Sequence, residues 1–280
     1  VQYQAGFLKC SLCVRARHNP FRNRAIRRAI KGEVDLLIAV SAQMAAALQA
    51  NDLGEPQVVF NGIALGDETV PAKRVADLRK KLGLEGRKVI FHGGRLDRLK
   101  GSLELVEALE QVRRSVPEAV LLTVGNALPG FAEEIDALAQ RLGMTNAVIH
   151  AGWLTGEELD AAYALADVVA SPSLCFESFG LMNLEAMRAS KPVVASFWGG
   201  PSDVVRDGVT GYLVNPLQIG VIADRLTRLL QDHEFALQMG REGRKRAEEN
   251  FSVGDQIARV EELFADCLAA RASTRHTNLT

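Results

Sequence analysis

From Lys88 onward, short apolar runs alternate with stretches in which apolar residues return every three or four positions. The runs fall near 88–92, 119–124, 147–151, 167–170, 192–196 and 212–214 and read as buried strands. The periodic stretches fall near 102–115, 131–142, 157–166, 180–189, 202–206 and 217–231 and read as helices. In the first of these, Leu105, Leu109, Val112 and Val116 recur at helical spacing. Such alternation predicts βαβ units, hence an α/β fold with a Rossmann-like parallel sheet covered on both faces. Ligands of these sheets bind at the carboxyl ends of the strands. Arg95, Trp153 and Glu177 each follow a predicted strand, so the topology gathers them on one edge. Upstream, 34–40 and 57–60 read as two more strands, 42–48 as a helix capped by Ser41, and Asn61-Gly62 as a turn. Downstream, 233–250 reads as a charged helix. A second helix over 254–270 has Ile257, Val260, Leu263 and Leu268 as its apolar positions.

The segment from Ser171 to Met187 carries two glutamates, Glu177 and Glu185, eight residues apart. Pro172 ends the strand before it. Good helix formers run from Phe179 to Ala189, with Leu181, Leu184 and Met187 on one face and Gly180 at the start. This order sets unpaired backbone N–H groups and the positive end of a helix dipole beside the loop bearing Glu177. Such a place attracts phosphate, with the N–H groups of Gly180 and Leu181 as the expected donors. Ser178 and Phe179 frame that helix start. A carboxylate beside a phosphate site is costly unless it accepts hydrogen bonds from hydroxyls. At about 1.5 Å rise per residue, Glu185 lies about two turns on, roughly 10–12 Å from Glu177. A diphosphate between two hydroxyl-bearing rings has about that span, and a nucleotide-sugar is such a molecule. The plainer alternatives are an electrostatic helix cap for Glu177 and a solvated helix position for Glu185.

A second cluster runs from Lys88 to Gly101 as a strand, a Gly-rich turn and two cations before a helix. Gly93 and Gly94 allow close backbone approach. Arg95 can fork onto phosphate oxygens and Lys100 adds a point charge, so both would stabilise a departing diphosphate. Alone, the cluster reads equally as a surface turn with solvated cations.

Six segments in order resemble the family 4 retaining glycosyltransferases of GT-B fold (glycosyl transferases group 1). They are Gly94-Arg95-Leu96 with Lys100-Gly101, His150 to Leu154, Glu177 with Glu185, Pro192 to Ser196, Gly199 to Asp203, and Asp207 to Pro216. The match extends over roughly 33–265. The resemblance implies that 1–66 is a remnant of a first, acceptor-side Rossmann-like domain, with a linker over 63–75. It further implies a nucleotide-sugar-binding domain over 67–250, and a crossover helix and tail over 251–280. It implies that Glu177 contacts the donor sugar's hydroxyls near the anomeric centre and that Glu185 binds the ribose hydroxyls. By the same resemblance, Gly152, Trp153 and Leu154 line the nucleobase pocket, and Asn126 approaches the nucleoside. Trp153 reads equally as a core aromatic. Asp203 reads as structural, and Lys191 as a side chain pointing to solvent. The expected function is transfer of a sugar from a UDP- or GDP-sugar to a glycan, lipid-linked or small-molecule acceptor, with retention. The family's Gly-rich loop and histidine of the first domain have no counterpart here. The chain is therefore expected to be part of a longer enzyme, and the alternative is a non-catalytic nucleotide-sugar-binding fragment or subunit.

Composition narrows this picture at a few points. The chain has 280 residues, 48% of them hydrophobic, and a net charge of −1, which gives no general argument for nucleic acid. Nothing resembles an Asp-x-Asp metal site at a strand end, so no metal and no cofactor are expected. No Gly-x-Gly-x-x-Gly follows a first strand, and Lys100-Gly101-Ser102 has the wrong order for a P-loop. These points disfavour a dinucleotide oxidoreductase and a P-loop nucleotidase. A nucleotide-sugar epimerase of similar fold stays open. Cys10 and Cys13 form a C-x-x-C pair near His18, but Cys175 and Cys267 are distant. Reduced thiols are expected rather than zinc or a redox pair. No apolar run reaches membrane-spanning length and no signal peptide is visible, so a cytoplasmic location is expected. The first residue is Val, so residues upstream are expected. Lys9, Arg15, Arg17, Arg22, Arg24, Arg27, Arg28 and Lys31 crowd the first 32 residues, which hold no acid. Residues 9–31 therefore fit either peripheral contact with an anionic membrane, through a basic amphipathic helix with Phe21, Ile26 and Ile30, or a solvated helix face.

Overall fold

The computed structural model describes residues 20–66 and 70–277. Cys10, Cys13, His18 and the first three cations of the basic segment lie outside the described residues. The chain divides into two compact units, residues up to Gly62 with those from Val253, and Ile63–Ser252.

In the larger unit, six strands run parallel in the order β5-β4-β3-β6-β7-β8. They are β3 (Lys88–Gly93), β4 (Ala119–Val124), β5 (Val148–Gly152), β6 (Val168–Ser171), β7 (Val193–Ser196) and β8 (Gly211–Val214). Each central strand is buried on both faces, as its largely apolar run requires. Alternate side chains take opposite faces. Ile90, Leu121, Val168 and Val194 pack under a layer made by α4 (Ser102–Arg113), α5 (Phe131–Arg141) and α9 (Ile219–Gln231). The opposite layer holds α3 (Ala72–Lys81), α6 (Gly156–Leu165), α7 (Leu181–Arg188) and α10 (His233–Asn250). On that side Phe91 of β3 stacks against Tyr163 of α6, ring centroids 4.4 Å apart. A short helix, α8 (Pro201–Val204), precedes β8.

Helix α3 falls where the sequence suggests a linker and then nothing regular. Only Leu78 of it is buried, so its apolar stripe is thin. The Arg79 guanidinium fastens it, donating to the carbonyls of Leu84 (3.0 Å), Arg87 (3.2 Å) and Leu165 (2.8 Å). Lys191 also differs from expectation. Its Nζ donates to the Ala164 carbonyl at 2.7 Å instead of pointing to solvent, and burial pulls its ammonium pKa down.

His92 of β3 is buried between the layers, its Nδ1 2.9 Å from the Ala170 carbonyl and its Nε2 3.0 Å from Ser102 Oγ. The carbonyl requires N–H at Nδ1, so Nε2 accepts from the serine hydroxyl. Burial, the largest cause, lowers its pKa from 6.5 to about 4. The unfolded chain therefore takes up this proton near pH 6.5 and the native chain only near pH 4. Stability due to His92 is full above that window and falls as pH drops through it, by about 3 kcal/mol in all. Urea titrations from pH 7 to 4 should show this excess loss in the wild type relative to a His92→Gln variant.

In the smaller unit, α1 (Pro20–Glu33) precedes β1 (Ile38–Ala39), α2 (Ala42–Ala50) and β2 (Gln57–Val58), and the two strands pair in parallel. Both are shorter than the apolar runs predict, because among the described residues each pairs only with the other and a ladder stops where its partner stops. Ser41 caps α2 as expected, its Oγ accepting from the Met44 N–H at 2.9 Å. The last helix, α11 (Val253–Thr277), belongs to this unit. Gln256 accepts from the Gly62 N–H, and Arg271 pairs with Asp35 at 2.7 Å.

Candidate active site

The loops after β3, β4, β5, β6 and β7 all leave the carboxyl edge of one parallel sheet. After β3 and β4 they run side by side, with Leu96 N–H donating to the Asn126 carbonyl at 2.9 Å. Leu96 is buried, and this pairing holds Gly94, Arg95 and Asn126 out at the surface. Arg95 Nε donates to Asp97 Oδ2 at 2.7 Å. Asp97 is buried and also accepts from Leu99 N–H, capping the 3-10 turn Arg98–Lys100. One edge of the guanidinium is thereby held.

Gly101 follows at φ +79°, and a Cβ there would lie 2.1 Å from the Pro172 carbonyl oxygen. Only glycine lets the start of α4 touch the loop after β6 this closely. The contact brings Lys100 and Glu177 together, with Nζ 2.5 Å from Oε2. Ser173 Oγ donates to the same oxygen at 3.3 Å. The Glu177 backbone is clamped from the other side, its N–H on the Trp198 carbonyl (3.0 Å) and its carbonyl accepting from Gly200 N–H (2.7 Å). Cys175 sits half-buried in the same loop, and burial pushes its thiol pKa up.

Gly180, at φ +93°, caps α7, which begins at Leu181 and carries Glu185 one turn in. Leu181 is half exposed rather than on the buried face, while Leu184 and Met187 are fully buried. Phe179 is 1% exposed and packs edge-on against Phe251, centroids 5.9 Å apart. It anchors the loop from below and offers no ring to a ligand. Glu185 is half-buried, and Tyr163 donates its hydroxyl to Oε2 at 2.5 Å. That pairing contrasts with a freely solvated position for Glu185. Trp153 is 64% exposed, which rules out a core aromatic, and Leu154 beside it is buried.

The edge thus carries two cations, two carboxylates, the N-terminus of a helix and an exposed indole. A diphosphate suits the cations and the helix start, and hydroxyl groups suit the carboxylates. Asp97 and Tyr163 are absent from the sequence expectations. Asp97 had a local signal, two residues from Arg95; Tyr163 had none, because its partner lies 22 residues away. Among the described residues, no three His, Cys, Asp or Glu side chains are grouped to hold a metal ion, and no helix is long and apolar enough to cross a membrane.

The chain belongs to the glycosyl transferases group 1, whose family model matches residues 75–246. Its fold is the Rossmann-like α/β sheet of the GT-B glycosyltransferases. It is 35% identical over 202 residues to the GDP-mannose-dependent alpha-(1-6)-phosphatidylinositol monomannoside mannosyltransferase of Mycolicibacterium smegmatis. That match covers 70% of this chain and 52% of the relative. It is 34% identical over 257 residues to the D-inositol 3-phosphate glycosyltransferase of Salinispora arenicola, covering 86% and 57%. The chain spans about half the length of the curated relatives it matches. Among solved structures, Anabaena HepE in complex with UDP and glucose aligns with a TM-score of 0.82 at 26% identity, over 89% of this chain and 68% of that one. A sucrose-phosphate synthase from Thermosynechococcus elongatus aligns with a TM-score of 0.80 at 29% identity, over 96% and 67%.

Proposed function

We propose that this chain holds the donor site of a retaining glycosyltransferase that moves a sugar from a UDP- or GDP-sugar to a glycan, lipid-linked or small-molecule acceptor. The observation that carries the reading is the junction of Lys100, Glu177 and the N-terminus of α7 at the carboxyl edge of the sheet. In this reading the diphosphate lies between Arg95, Lys100 and the N–H groups of Gly180 and Leu181. As the sugar–phosphate bond weakens, negative charge builds on the leaving diphosphate, and these groups stabilise it. Glu177 accepts from the sugar's hydroxyls and Glu185 from those of the ribose. Trp153, Leu154 and Asn126 border the nucleobase. Protein cations supply the charge that a metal supplies elsewhere, so transfer proceeds without metal or cofactor.

The UDP and glucose in the HepE structure and the GDP-mannose named for the mycobacterial relative support a nucleotide-sugar donor without choosing its base. The chain's half-length match to its relatives favours a second reading, a donor-binding part that transfers nothing alone. The basic, exposed α1, with Arg24, Arg27, Arg28, Phe21 and Ile26 at its surface, supports peripheral contact with anionic membrane from the cytoplasmic side.

Calorimetric titration with UDP, GDP, ADP and their sugar conjugates tests the reading. One nucleotide series should bind, unaffected by EDTA, and Glu185→Ala should weaken it about 10-fold or more, as loss of hydrogen bonds to a charged group does. Binding that is equal across all bases and indifferent to Glu185→Ala would sink it. Co-sedimentation with phosphatidylserine vesicles, reversed by salt, checks the membrane contact.

A further inference from the structure

We propose that Tyr163 is a positioning residue that sets the selectivity of the site for ribose, by fixing the carboxylate of Glu185. The inference rests on the reading of Glu185 as the ribose-binding group. Tyr163 is 2% exposed, and its ring lies against Phe91 with an interplanar angle of 31°. The hydroxyl therefore has one place to go, and that place is Glu185 Oε2, 2.5 Å away. Oε1 has no hydrogen-bond donor among the described residues. One oxygen is held and the other is left to a ligand, and the two lone pairs of Oε2 leave room for a second donor. Burial and the neighbouring carboxylate push the phenol pKa far up, so the group donates its proton throughout the working pH range.

A purely structural role is separable, because α6 and α7 carry a second tie. Asp160 and Arg188 pair one turn away on both helices, and among the described residues neither forms an ion pair with Glu185. If the tyrosine hydroxyl served only to join the helices, cutting that other tie would have a similar effect on the ligand.

The test compares the affinity of the chain for UDP and GDP with that for their 2′,3′-dideoxy counterparts. The wild type should prefer the ribose form of its nucleotide, and Glu185→Ala should abolish the preference. Tyr163→Phe, which keeps the ring and its packing, should shrink the preference about 3- to 10-fold with little change in melting temperature, less than loss of a ligand's own bond to a charged group because Tyr163 acts through Glu185. Arg188→Ala should leave the preference intact. An unchanged preference in Tyr163→Phe, with Glu185→Ala still abolishing it, would overturn the role of Tyr163 and leave the donor site standing. An equal loss in Arg188→Ala would also overturn it. No preference in the wild type, or one that survives Glu185→Ala, would overturn the assignment of Glu185 and this inference together.

Discussion

Lys100→Ala should weaken binding of the cognate nucleoside diphosphate by about 10- to 150-fold, the equivalent of about 1.5–3 kcal/mol for a charge-assisted contact. Two effects act in the same direction. The variant removes the cation at the diphosphate position, and it leaves the Glu177 carboxylate, now 2.5 Å from Lys100 Nζ, without that partner beside an incoming anion. Lys100→Arg keeps the charge but not the compact ammonium geometry, and should fall between the two. Calorimetry of the three proteins with the same nucleotide decides the matter. An affinity unchanged in Lys100→Ala would mean that the ammonium serves only Glu177 and meets no phosphate.

Gly101→Ala should lower the stability of the larger unit by about 2–4 kcal/mol, through left-handed strain and a displaced backbone. For a unit of this size that corresponds to a melting temperature about 5–15 °C lower. The added Cβ would meet the Pro172 carbonyl oxygen at 2.1 Å, and neither backbone has a flexible end that can yield. Opening this contact moves Lys100 away from Glu177, so affinity for nucleotide should fall along with stability. Differential scanning calorimetry reads the first effect and titration the second. A variant that melts within a degree of the wild type would show that the loop after β6 does not rest on the start of α4.

The βα alternation was legible because parallel strands buried on both faces must be continuously apolar, and the helices between them must carry an apolar stripe. The six runs from Lys88 onward lie within a residue or so of β3 to β8 for that reason. Helix α3 was not legible, since a helix that buries little but Leu78 leaves a thin apolar pattern. Its signals were there in Pro71 at the start, Val75, Leu78 and Leu82 at helical spacing, and Arg79, Lys80 and Lys81 in the last turn. Of the candidate site, the pattern placed Arg95, Trp153 and Glu177 after strands, which fixes the edge they occupy. It could not say that Phe179 turns inward and Trp153 outward, because local spacing does not fix which way a loop side chain points. Nor could it find Tyr163 beside Glu185, a contact made when α6 and α7 pack together on the sheet.

In the proposed reading a nucleotide-sugar lies across this edge with its diphosphate at Lys100 and the start of α7. A crystal structure of this chain with the nucleotide that binds it shows whether it does. Phosphate oxygens are expected within hydrogen-bonding distance of Lys100 Nζ and of the Gly180 or Leu181 N–H, and the ribose hydroxyls on Glu185. Nucleotide bound elsewhere on the sheet, or bound here with Glu185 turned away from the ribose, would contradict that reading.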